Sequence, residues 1–303
     1  MGPAIIILGL LLILPTEAYA WGAGIHIQLG MRVLENLSLI HPAVAAIIGA
    51  YPNDFLYGCI AADITVGKKF THYLLNCHRW RMGLAVLDRA QLDSQKACAY
   101  GYLAHLAADA VAHNVYVPYK IMRSFSTVTM KHAYWEMRFE RFVAPETWQR
   151  ARQVAETNYQ ANDALLRKVI ANTIFSFGTN KRIFNSILLV SRLERWQQVL
   201  KTLSDSSRYV LQEDDRLEYL SLANEAIFDL LAKPHESDYL QADPTGERAL
   251  ATAEAVRRNL RLLYRSGKIG KTEALAQVED TRKGLRNALF HPERLSPLYS
   301  APQ

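Results

Sequence analysis

Cysteine is scarce: Cys59, Cys77 and Cys98 are the only three in 303 residues. None belongs to a CxxC pair, so a thiolate zinc site is excluded, and spacing alone does not say whether any two are bridged. Strand signals are nearly absent as well. There are no regularly spaced, turn-bounded runs of β-branched residues, which excludes a sandwich or a barrel. Past residue 20 no apolar run reaches the ~18 residues of a membrane-span candidate. Neither sign of charge dominates: 35 Lys and Arg stand against 29 Asp and Glu, for a net +6. That balance suits an anionic substrate or an anionic lipid surface, and it is too diffuse to argue a nucleic-acid groove. Internal repeats and low-complexity segments are missing too.

What is present is helical periodicity, preceded by an export signal. Residues 1–20 carry an apolar core from Ala4 to about Leu14, too short to span a bilayer. The core is followed by Ala18-Tyr19-Ala20, an A-x-A cleavage site. The chain is therefore expected to be secreted or periplasmic, with its mature start at Trp21, although no Lys or Arg precedes the apolar core. Residues 21–303 read as one all-α domain with no linker. Gly22 and Gly24 read as a flexible start, and a helix is expected from about Ile25. Pro42 opens the next helix, and Tyr51-Pro52-Asn53-Asp54 reads as a turn. Helices are further expected over Met82–Ala90, Glu146–Val169, Ile183–Leu203 and Tyr209–Leu231, the last interrupted at Glu213-Asp214-Asp215. A proline opening recurs at Asp243-Pro244-Thr245-Gly246, where Pro244 is expected near the first position of a helix running through Tyr264. The tail, about 285–303, is expected to be mobile.

The chain is organised around residues 98–136. An Ala-rich apolar run there contains His105, Asp109 and His113, each four residues from the last. A step of four turns a helix by ~40° net, so these side chains share a face if the helix persists to His113. His132 and Glu136 repeat the four-residue step. Imidazoles and carboxylates on an apolar surface are costly to bury unless something pairs with them. A bound cation fits, because neutral imidazole and carboxylate oxygen are zinc ligands. Seven of the nine histidines fall before residue 133, so the chemistry belongs to the N-terminal half. His41, His235 and His291 each sit beside a proline and read as structural or exposed. Asp63 follows the small apolar lead-in Ile60-Ala61-Ala62, an odd place for a solvated carboxylate.

Together, Trp21, His26, Asp63, His72 or His78, His105, Asp109, His113, His132 and Glu136 resemble the zinc-dependent phospholipase C family, which shares its fold with the S1/P1 single-strand nucleases. Ile60-Ala61-Ala62-Asp63 and the Thr245-Gly246 turn resemble the phospholipases, and the Trp-Gly-x-x-x-His start at Trp21 resembles the nucleases. The resemblance implies an all-helical exported enzyme with three zinc ions in one cleft. One would be held by Asp63, His105, Asp109 and either His72 or His78, with the separation from Asp63 favouring His78. A second would be held by His113, His132 and Glu136. The third would take the freed amine and carbonyl of Trp21, with His26 and the other oxygen of Asp109. Signal cleavage would then create a ligand. The Asp109–His113 step is shorter than the family's usual gap, so His113 would reach its zinc from the same helix.

Clustered metals favour phosphodiester hydrolysis. The expected activity is phospholipase C, cleaving the glycerol-side phosphoester to diacylglycerol and a phosphorylated head group, with Asp63 orienting or deprotonating the water. The expected partners are a phospholipid or other phosphodiester and, peripherally, a membrane surface, for a chain expected to be monomeric. Trp80, Tyr134 and Trp135 are candidates to line a choline pocket. The alternatives are a single-strand nuclease, against which the lack of an aromatic–basic groove counts, and a non-catalytic metal-binding domain.

Overall fold

Helix α5, Asp93–Val111, is where the other helices meet. From Ala97 to Val111 every residue except Tyr100 is buried. A helix apolar all round has to be a core helix, and here its small Ala and Gly side chains let neighbours come close. The computed structural model describes residues 21–65, 77–127, 132–170, 176–191 and 211–295. The proposed signal peptide, His72 and the last residues of the tail lie outside them. Among the described residues every regular element is helical, so the protein is all-α.

Around α5 pack α1 (Ala23–Glu35), α2 (Pro42–Ala50), α3 (Pro52–Ala61), α4 (Trp80–Asp88), α9 (Gln160–Val169) and α11 (Glu213–Ala232). After α5 the chain widens into a π-helical segment, Ala112–Tyr116, then tightens into α6 (Val117–Arg123). Helices α7 (His132–Glu140), α8 (Pro145–Glu156) and α10 (Phe177–Ser191) follow in the order of the chain. The closing pair, α12 (Glu247–Arg265) and α13 (Lys271–Asn287), packs on α6 and the π segment.

The crossing of α3 over α5 sets the geometry of the site. At Gly58 and Gly101 the two backbones touch: a Cβ on Gly58 would lie 2.0 Å from the Cys98 carbonyl oxygen, and one on Gly101 would lie 2.0 Å from that of Phe55. No side chain fits at either place. The close approach carries the end of α3, continued by a 3₁₀ turn Ala62–Ile64 that holds Asp63, alongside the histidine-bearing face of α5.

Several boundaries differ from the sequence expectation. Pro52 opens α3 instead of forming a turn, because proline's missing N–H costs nothing in a first turn. The span 146–169 is two helices, broken at Thr157, whose hydroxyl donates back to the Gln153 carbonyl. Glu213-Asp214-Asp215 does not interrupt a helix; it is the first turn of α11, where carboxylates meet the positive end of the helix dipole. Pro244 lies before α12, in a turn ending at Gly246 with φ +59°. The expected mobile tail is packed in its first part: Leu285 and Ala288 are buried, and the Phe290 ring meets Tyr239 edge-on at 5.0 Å.

Candidate metal centre

Five side chains from four places in the chain converge. His26 comes from the first turn of α1, Asp63 from the 3₁₀ turn, His78 from just before α4, and His105 and Asp109 from the middle of α5. All five are at most 3 % exposed. Two overlapping groups, His26–Asp63–His105 and His78–His105–Asp109, each bring one ligating atom per residue within 4.8 Å of the others.

Asp109 is the hub. Its Oδ1 lies 3.4 Å from His26 Nε2, and its Oδ2 lies 3.3 Å from His78 Nε2 and 3.2 Å from His105 Nε2. Asp63 Oδ1 lies 3.2 Å from His78 Nε2 and 3.9 Å from His105 Nε2. The His78 and His105 Nε2 atoms face each other at 3.1 Å, and the His26 and His105 rings stack at 3.8 Å. The tautomer of His105 is fixed from behind, since its Nδ1–H donates to the Cys59 carbonyl at 2.9 Å. Nε2 is therefore the ring nitrogen left to face the carboxylates. No hydrogen-bond donor is correctly aimed at either oxygen of Asp109 or at His26 Nε2, although all three atoms are buried. Three buried polar atoms without a partner are costly, and a cation among them would satisfy all three.

The electrostatics agree with that donor set. Burial, aided by the adjacent His105, pushes the His26 imidazole below its ordinary value and towards neutrality. Burial alone would raise the Asp109 carboxyl, but the His105 and His26 imidazoles hold it well below the usual range. Neutral imidazole beside ionised carboxylate is the pair zinc takes. The residues fit the metal: Asp63, His78, His105 and Asp109 would hold one ion, and His26 with the second oxygen of Asp109 offers half of another.

The remaining expected ligands lie outside those two groups. His113 sits in the π segment, a distortion frequent at functional sites, and it is not among the two convergent groups. Its Nδ1–H donates to the Pro244 carbonyl at 2.6 Å, and Asn114 Nδ2 donates to the carbonyls of Ala110 and Asp243, both at 2.7 Å. A Cβ at Gly246 would meet the His113 Cβ at 2.5 Å, so the turn before α12 closes directly on this histidine. Glu136 is buried on α7. His132 begins α7, and its side chain lies outside the described residues. Trp21 is fully buried, its ring on Phe139 at 5.2 Å and Tyr116 at 6.2 Å.

A cleft of about 380 Å³ is lined by Arg79, Trp80, Arg81, Asn114, Asp243 and Arg248 among others, Arg79 and Asn114 being the sequence neighbours of His78 and His113. Trp80 donates its indole N–H to the Ala242 carbonyl at 2.6 Å, which fixes its ring in the wall. Trp135 is 2 % exposed and belongs to the core, not to a pocket wall; the Tyr134 side chain lies outside the described residues. All three cysteines are free and buried.

Sequence reading missed Glu140, whose carboxylate accepts from the Ile25 amide at 2.9 Å. The available signal was one more step of four beyond His132 and Glu136. Burial pushes the Glu140 carboxyl up to about 7, the Ile25 and Gly24 amides partly offsetting this.

The sequence model of a family described as zinc dependent phospholipase C matches residues 25–175, about half of the chain. No curated protein and no solved structure matches.

Proposed function

The chain belongs to the zinc-dependent phospholipase C family, and from that premise we propose that it is an exported phosphodiesterase hydrolysing the glycerol-side phosphoester of phospholipids. The products are diacylglycerol and a phosphorylated head group. The observation that carries this reading is the convergence of Asp63, His78, His105 and Asp109, all buried, with the ligating atoms of His78, His105 and Asp109 within 4.8 Å of one another. His26 extends the donor set on the far side of Asp109, and Trp21, His113, His132 and Glu136 complete three zinc positions. When bound, zinc stabilises charge on phosphoryl oxygens and lowers the pKa of bound water from about 15.7 towards ~7.

The chain's own residues do the rest. Asp109 stays ionised and, from the middle of a rigid helix, meets His26 with one oxygen and His78 and His105 with the other. Asp63 takes the proton of the attacking water, standing in the 3₁₀ turn with one oxygen 3.2 Å from His78. Arg79 is held at the cleft wall by Glu247 at 2.9 Å, and it orients the anionic phosphodiester. Trp80 offers its indole face to a head-group cation.

The Trp21–His26 start, with His26 stacked on His105, supports a second reading as a single-strand nuclease. Protein processed to begin at Trp21 and assayed on phosphatidylcholine vesicles and on single-stranded DNA separates the two. Chelator-sensitive release of phosphocholine is expected; release of mononucleotides alone would replace the first reading by the second. Export is tested separately, by sequencing the amino terminus of the protein recovered outside the cytoplasm.

A further inference from the structure

Helix α1 begins without a cap of its own. Its N-cap residue is Gly22, which has no side chain to accept from the first-turn amides. The missing acceptor arrives from 115 residues further along the chain: Glu140 Oε1 takes the Ile25 amide at 2.9 Å. Room is made for it on both sides. A Cβ at Gly22 would lie 2.6 Å from Glu140 Cδ, and one at Gly24 would lie 2.6 Å from Glu140 Oε2 and 2.7 Å from the Trp148 ring. The two glycines that read as a flexible start are thus glycines because the Glu140 side chain occupies the space their Cβ atoms would need. A carboxylate at a helix N-terminus also meets the positive end of the helix dipole.

The contact joins two parts of the donor set. On one side is the segment that carries Trp21 and His26. On the other is α7, which carries His132 and Glu136 and ends at Glu140. We propose that Glu140 is a positioning residue, clamping the Trp21–His26 segment so that its donors meet Asp109, without itself ligating a metal. The clamp matters most once the chain begins at Trp21, because nothing upstream then restrains the segment. The proposal rests on the metal-centre reading above.

The test is a zinc count by equilibrium dialysis and elemental analysis on processed protein, alongside circular dichroism. The variants are Glu140→Ala, Glu140→Gln and Glu140→Asp. Glu140→Ala is expected to keep its helicity and lose one zinc per chain, or to bind it roughly 10–100-fold more weakly, the usual loss when a ligand's supporting partner is removed. Glu140→Gln keeps an oxygen for the Ile25 amide and is expected to hold the full count. Glu140→Asp keeps the charge but falls a methylene short, and is expected to lose the same ion as Ala. This Gln-against-Asp contrast decides the matter even if the alanine variant does not fold. A full count in Glu140→Ala or Glu140→Asp overturns the clamp. A wild-type protein that binds no zinc overturns the metal-centre reading itself, a distinct result.

Discussion

Asp109 sits where three imidazoles point, 3.2–3.4 Å from His26, His78 and His105. Its charge is what the cluster is built to use, so Asp109→Asn keeps the shape and removes the function. Helicity should be unchanged while phosphodiesterase activity falls by at least about 100-fold, more than is typical for losing an outer partner. The cysteines carry the opposite expectation. Burial pushes the Cys59 and Cys98 thiols well above their ordinary range, and the thiolate is the reactive form. Neither should react with a thiol reagent in the native protein, and both should react once it is unfolded. Glu140 gives a pH signature in the metal-free protein. Its folded value of about 7 is raised from 4.5, so the stability it contributes is present below about 4.5 and is lost as pH rises through about 7. Denaturation midpoints of wild type relative to Glu140→Gln should therefore fall between about pH 5.5 and about pH 8; a constant difference would contradict this.

Among elements, the crossing of α3 and α5 carries the site. Gly58→Ala forces a methyl group to within 2.0 Å of a backbone oxygen, and neither helix can yield without moving Asp63 relative to His105. The expected loss is about 3 kcal/mol of stability together with weakened zinc binding, measured by urea unfolding and dialysis. This crossing was invisible in sequence, since nothing in a lone glycine says which backbone it must admit. The donors on α5 were legible, because a step of four residues on an Ala-rich helix fixes their common face. The π turn that carries His113 was not legible, because it leaves no mark in the hydrophobic period. The acidic trio Glu213–Asp215 misled for a related reason: the same residues that break a helix interior favour its first turn. Glu140 was missed because its partner is the backbone of a segment 115 residues away.

In the whole molecule, a core helix gathers donors from α1, from the end of α3 and from the approach to α4, and α12 and α13 close over the far side of the π segment. The all-α class followed from the lack of strand signals, and the family from the donor spacing; the arrangement of helices around α5 depends on tertiary contacts that no local pattern encodes. The central claim is that the buried donors are a zinc centre. The most direct test is the zinc content of protein processed to begin at Trp21, compared with Asp109→Asn at equal helicity. The account predicts three zinc ions per wild-type chain and fewer in the variant; a wild-type protein that folds fully and holds no zinc after dialysis against the metal would contradict it.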